Sequence, residues 1–198
     1  MIVDLEKQVN LIHHRSSDIN EHIPTIIELA QECDHITEMG CRWVVSTWAW
    51  LAGLPKNGLV TYDILNPMNW TGEHDVIKDV EDTAKAYNID FKFIEADVCA
   101  IEIEETDLLF LDTWHSYKQL TSELKLHASK VKKYICFHDT TSYATKDETN
   151  YEEWGDEWKA EGIGIWKAIE EFLESNPEWV LEKRFTNNNG FTIIKRIK

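Results

Sequence analysis

Two short apolar runs in this chain each end abruptly in acid and imidazole groups. Asp107 through Leu111 runs into Asp112, with His115 just beyond it. Ile135 through Phe137 runs into His138, Asp139 and Thr140. Carboxylate oxygens are hard ligands suited to Mg²⁺, Mn²⁺ or Ca²⁺. Imidazole changes charge near neutral pH, the property a general base needs. Asp112, His115, His138 and Asp139 together are enough side-chain chemistry for a divalent cation and a base, provided that they converge. Apolar runs of this length, bounded by polar residues, read as buried parallel strands. In an open α/β sheet, ligands sit just past the carboxyl ends of the strands. Two adjacent strands would deliver all four residues to one crevice.

The rest of the chain supplies the elements to build that sheet. Ile19, Ile23, Ile26, Ile27 and Ala30 lie at helical spacing within 17–32, with Ser17 or Asp18 available as N-cap. His35 to Gly40 reads as a strand ending in acid and glycine. Ser46 to Ala52 reads as a helix capped by Ser46 and stopped by Gly53 and Pro55. Strands follow at 58–63, 90–97, 107–112 and 134–137, with helices at 73–87, 117–130 and 165–173 between and after them. Trp179 to Arg184 and Phe191 to Ile197 flank Asn187, Asn188, Asn189 and Gly190, a hairpin turn signal. Alternating strands and helices predict a Rossmann-like, doubly wound α/β fold. Its sheet is mostly parallel, with helices on both faces and a C-terminal antiparallel hairpin. One domain over 1–198 is expected, with 1–16 as an N-terminal extension. Segment 141–161 is polar and aromatic without periodicity, and directly follows the acid-histidine strand. It reads as a lid or acceptor-side insertion, with Tyr143, Tyr151, Trp154 and Trp158 able to stack on a ligand.

Composition narrows the class. The 198 residues carry a formal net charge of −16 and are 43% apolar. Phosphate neutralisation needs clustered cations, and nothing beyond short stretches such as Lys195, Arg196 and Lys198 supplies them, so nucleic-acid binding is not expected. No run of apolar residues is long enough to span a membrane and no signal pattern opens the chain, so a cytoplasmic protein without a membrane partner is expected. A homo-oligomer is compatible with the sequence. Cys33, Cys41, Cys99 and Cys136 form no CxxC pair and read as reduced thiols. His13, His14, His35, His74 and His127 read as surface or boundary residues.

The motifs and their order resemble the class I S-adenosylmethionine-dependent methyltransferases. Within them they look like the branch of sugar O-methyltransferases and cephalosporin-hydroxylase-like proteins. Thr37, Glu38, Met39 and Gly40 followed by Ser46 and Thr47 look like the first cofactor loop. Tyr62-Asp63 looks like the ribose-binding acid, and Glu95-Ala96-Asp97 like the loop beside adenine. Segments 111–117 and 137–140 look like the metal and base segments. The resemblance implies cofactor contacts from Glu38, Gly40, Ser46, Asp63 and Asp97. It implies metal ligands Asp112, Asp139 and His138, catalytic roles for His115 and Asp112, and His115 as general base.

The implied activity is metal-assisted methylation of a hydroxyl on a saccharide or glycosylated small molecule. S-adenosylmethionine would be the donor and Mg²⁺, Mn²⁺ or Ca²⁺ the cation, the imidazole of His138 tilting the choice towards Mn²⁺. The chain departs from the family at Val44 and Val45, preceded by Arg42 and Trp43, where further glycines are usual. β-branched residues resist positive φ and fill space. That departure motivates an alternative: a catalytically degenerate, methyltransferase-like binding module in glycan assembly. A weaker third reading is a metal-dependent hydroxylase or hydrolase.

Overall fold

The computed structural model describes residues 1–72, 74–149, 151, 155 and 159–198. Its framework is one seven-stranded sheet in the order β3-β2-β1-β4-β5-β7-β6. The strands are β1 (His35–Met39), β2 (Gly58–Asp63), β3 (Phe91–Glu95), β4 (Thr106–Leu111), β5 (Val131–His138), β6 (Trp179–Phe185) and β7 (Phe191–Arg196). β7 runs antiparallel to both its neighbours, β5 and β6, as the hairpin signal predicts. The order reverses between β1 and β4, which is where an open sheet leaves a crevice at its carboxyl edge.

The strands are apolar because both faces of the sheet are covered. On β4, Leu108 and Phe110 pack into a cluster with Ile23, Ile26 and Trp50, while Leu109 and Leu111 pack with Leu120, Leu124 and Ile169 on the other side. The first cluster belongs to α1 (Leu5–His14), α2 (Ile23–Gln31), α3 (Val45–Ala52) and α5 (Val76–Ala86). The second belongs to α6 (Tyr117–His127) and α7 (Ile165–Ser175). A short α4 (Met68–Thr71) follows β2.

Four local expectations need correction. The N-terminal extension contains α1, capped by the Asp4 side chain, which accepts from the Lys7 N–H at 3.1 Å. The next helix begins at Ile23 after a 3₁₀ turn at Asn20–His22, with Pro24 in its first turn where the missing N–H costs nothing, so neither Ser17 nor Asp18 caps it. Ser46 is not the cap of α3. That position is Val44, at φ 54° with no side-chain hydrogen bond, and the Ser46 hydroxyl points instead to Glu38. His127 is not a surface residue either: it is fully buried, with Nε2 2.9 Å from the Val98 carbonyl.

The sheet aligns the strand ends. Met39 pairs with Tyr62 and with Leu111, and Leu111 pairs with Phe137. The next residues, Gly40, Asp63, Asp112 and His138, therefore emerge side by side. Gly40 sits at φ 84° against the Asp112 backbone, and a Cβ there would lie 2.0 Å from the Asp112 carbonyl oxygen. Gly40→Ala should therefore destabilise the protein by about 2 kcal/mol or more in denaturant unfolding, combining a left-handed backbone with a backbone clash.

Candidate active site

β4 and β5 bring four groups into a closed ring. His115 Nε2 lies 3.1 Å from Asp112 Oδ1 and 3.2 Å from Asp139 Oδ2. His138 Nδ1 lies 3.2 Å from Asp112 Oδ1 and 3.3 Å from Asp139 Oδ2. One ligand atom from each of the four residues falls within 4.8 Å of every other. Acid and imidazole alternate, so each imidazole nitrogen sits between two carboxylate oxygens. Local backbone makes this possible. Ser116 caps α6 by accepting from the Gln119 N–H at 3.2 Å, which fixes the turn carrying Asp112 to His115. Asp139 adopts φ 57°, a left-handed turn immediately after β5.

The outer nitrogens assign the protons. His138 Nε2 lies 3.0 Å from the Asp18 carbonyl, which can only accept, so Nε2 carries a proton and Nδ1 faces the acids. His115 Nδ1 lies 3.0 Å from Glu148 Oε2, which leaves Nε2 facing Asp112 and Asp139. Burial alone would lower the His115 pKa, but Asp112 and Glu148 reverse that and hold it at about 10. Burial likewise opposes protonation of His138, yet Asp112 and Asp139 raise it well above the usual imidazole range. Burial would raise Asp112, and the two histidines pull it far below ordinary carboxylates. The cluster collects positive charge, and two oxygens with two nitrogens make a donor set that a divalent first-row cation or Mg²⁺ can use. Asp139 Oδ1 is buried without a hydrogen-bond partner, an acceptor left over for such an ion.

The ring opens on a cavity of about 430 Å³, inside the range of about 300–1,000 Å³ usual for ligand sites. Gly40, Ser46, Asp63, Asp97, Asp112, His115 and Asp139 line it, whereas Glu38 and His138 do not. Asp63 Oδ2 accepts from the Cys41 and Arg42 N–H groups at 2.9 and 3.0 Å, and Oδ1 from Leu65 N at 3.1 Å. Asp97 takes the Cys99 N–H at 2.9 Å and is exposed on the wall. Glu38 is fully buried beneath the first loop. It accepts from Ser46, Thr47 and Thr61 at 2.6, 2.7 and 2.8 Å, tying β1, β2 and α3 together. The loop above it turns without the usual glycines: Arg42 takes φ 38° and Val44 φ 54°. Val44 is buried in the helix-covered cluster, so its bulk leaves the cavity open, while Val45 lines it.

The segment after β5 closes one side. Asp147 accepts four backbone N–H groups, from Tyr117, Glu161, Gly162 and Gly164, at 2.6–2.9 Å. This ties the stretch around Asp147 and the far end of the segment to the start of α6. Tyr143 stacks on His115 with centroids 5.0 Å apart and planes 10° apart. Tyr151 lines the cavity; Trp154 and Trp158 lie outside the described residues. Glu148 is the His115 partner that sequence reasoning missed, because nothing local marks an acid that folds back onto a histidine 33 positions away. His22, also overlooked, is 1% exposed and lies 3.2 Å from the Asn187 and Asn188 carbonyls. It pins the segment bearing Asp18 to the β6–β7 turn.

Comparison with known proteins agrees with this architecture. The sequence model for "Rhamnosyl O-methyltransferase/CmcI" matches residues 12–196. No curated protein matches at a significant level. Among solved structures, the chain is similar to the Podospora anserina methyltransferase PaMTH1 bound to SAH. That pair has 18% identity and a TM-score of 0.59 and covers 98% of this chain and 88% of that one. An O-methyltransferase from Bacillus cereus in complex with SAH gives 14% identity and TM-score 0.57, covering 97% and 90%. A putative caffeoyl-CoA O-methyltransferase from Staphylococcus aureus gives 11% and 0.58, covering 97% and 98%. These likenesses establish a shared fold.

Glu38 generates a pH test. Burial raises its pKa from 4.5 to about 7 against the pull of three hydroxyls. A raised carboxyl pKa means that the folded state holds the proton more tightly than the unfolded chain. Its share of stability is therefore present below pH 4.5 and lost as pH rises through about 7. Glu38→Gln should shrink the stability difference between pH 5 and pH 8 by about 2–3 kcal/mol, read by denaturant unfolding at both pH values.

Proposed function

The chain belongs to the rhamnosyl O-methyltransferase/CmcI family and is an S-adenosylmethionine-dependent O-methyltransferase; from that premise we propose that it methylates a hydroxyl of a saccharide or glycosylated small molecule with the help of a divalent cation. The observation that carries this reading is the ring of Asp112, His115, His138 and Asp139 opening on the cavity.

In this reading Asp112, Asp139 and His138 hold the cation, and the Asp18 carbonyl orients the third ligand through its Nε2–H. The cation would supply Lewis acidity, lowering the pKa of an acceptor hydroxyl. His115 is the general base. The carboxylate field that keeps His115 protonated would be cancelled by a cation on Asp112 and Asp139; with Glu148 fixing Nδ1–H, Nε2 would then be free to take the hydroxyl proton, and Glu148 would balance the charge of the imidazolium that results. The methyl donor supplies a sulfonium methyl group. The acceptor oxygen forms the new C–O bond as the C–S bond breaks, and the sulfonium becomes a neutral thioether. Gly40 lets backbone approach the donor. Asp63 retains one lone-pair position, on Oδ1, for a ribose hydroxyl beside its three backbone bonds, Asp97 lies on the adenine side, and Ser46 borders the amino-acid end. Glu38 acts beneath this surface by holding the loop. Tyr143 and Tyr151 offer ring faces to a sugar.

The described residues contain no helix long and apolar enough to cross a membrane. Four free cysteines, three of them buried, fit a reducing compartment, and we assign the protein to the cytoplasm.

Calorimetric titration of the folded protein with S-adenosylhomocysteine should give saturable heat. Its absence at millimolar ligand would refute the methyl-transfer reading and leave the degenerate binding module. His115→Gln should cut turnover about 10²–10⁴-fold while donor affinity stays within about twofold. Unchanged turnover would remove His115 as base. Asp139→Asn should weaken Mn²⁺ binding about tenfold or more in the same calorimetric assay.

A further inference from the structure

A buried acid behind the cavity has no part in the chemistry so far. Glu123 on α6 is 1% exposed, among Leu120, Leu124 and their apolar neighbours. Its Oε1 accepts the Thr113 hydroxyl at 2.5 Å and the Gln119 side-chain N–H at 2.8 Å. Gln119 Oε1 accepts from the Cys99 thiol at 3.6 Å, joining α6 to the turn after β3. Thr113 and Gln119 both line the cavity, together with Ala96, Asp97 and Val98 from that turn. Burial pushes the Glu123 pKa up to about 7 despite both donors, so the acid is held where an apolar side chain would be less costly.

The bonds dictate what the wall offers a ligand. A hydroxyl has one proton, and Thr113 gives its proton to Glu123, so only lone pairs of Oγ1 remain for the cavity. The Gln119 amide is fixed with one N–H on Glu123 and its oxygen at Cys99, which leaves its second N–H. The wall thus presents an acceptor beside a donor. Adenine has the complementary edge: its 6-amino group donates and the adjacent ring nitrogen accepts. A 6-oxo purine turns the amino donor into an acceptor and would face the lone pairs of Thr113.

We propose that Thr113, Glu123 and Gln119 form a base-recognition triad in which Glu123 is the positioning residue, selecting the 6-amino purine of the methyl donor over a 6-oxo purine. This rests on the reading that the cavity takes S-adenosylmethionine. The hydrogen bonds of the triad run among Thr113, Glu123, Gln119 and Cys99 and do not engage the ring side chains, so its role is in which donor binds.

The test compares calorimetric affinities for S-adenosylhomocysteine and its deaminated analogue, S-inosylhomocysteine, at pH 8. The intact protein should prefer the adenine ligand about tenfold or more, the scale of one hydrogen bond replaced by an acceptor-acceptor contact. Glu123→Leu replaces the buried acid with an apolar side chain next to Leu120 and Leu124 on α6 and should fold. It frees the Thr113 proton, and the preference should fall to within about threefold. Thr113→Val removes the acceptor from the wall and should do the same, and it decides the matter alone if Glu123→Leu does not fold. A preference that survives, or equal weakening of both ligands, overturns the triad while leaving donor binding intact. An intact protein that binds both ligands equally also overturns it, and one that binds neither overturns the cofactor reading on which it rests.

Discussion

The parallel pairing of β4 with β5, in register at Leu111 and Phe137, is the constraint on which the rest depends. It ends two buried strands at the same level, so the residues that follow must meet. Asp112 and Asp139 would repel each other in a low-dielectric site. Interleaved imidazoles offset that cost, since Asp112 Oδ1 and Asp139 Oδ2 each face two imidazole nitrogens at 3.1–3.3 Å. A slip of one residue in this pairing would turn Asp112 or His138 to the opposite face and open the ring.

The same economy holds around the ring. Two other acids are buried where strands meet helices, and each is satisfied by hydroxyl or amide donors: Glu38 under the first loop, and Glu123 behind Thr113. Glu38 helps explain how the first loop keeps left-handed residues at Arg42 and Val44. Its bonds to Ser46 and Thr47 anchor the start of α3, so side-chain bonding does the work that glycine does elsewhere. Asp147 serves the other wall with four backbone bonds. The cavity is therefore held by buried or half-buried carboxylates from three directions, which fits a strongly acidic chain.

Much of the sheet was legible from the chain alone, because strands covered on both faces are apolar throughout and end at polar residues. The second strand was placed at its observed limits, and the Asn-rich turn located the hairpin. What was missed follows physical lines. Helix α1 carried a readable signal in Leu5, Val9 and Ile12 behind Asp4, overlooked by treating the terminus as an extension. Ser46 has the chemistry of a cap, but backbone strain at Val44 set the helix start and freed the hydroxyl for Glu38. His127 looked like a surface residue until the turn after β3 supplied a carbonyl. Glu148 and Glu123 act through contacts that only the folded chain creates. The four ring residues were legible because strand ends place them. Their partners were not, because those contacts are made across loops.

The most direct test of the account is electron spin-echo spectroscopy of the Mn²⁺-loaded protein with S-adenosylhomocysteine bound. Coupling to one imidazole nitrogen is expected, lost in His138→Gln and retained in His115→Gln. Coupling to two imidazoles, coupling that survives in His138→Gln, or no bound Mn²⁺ at all would contradict it.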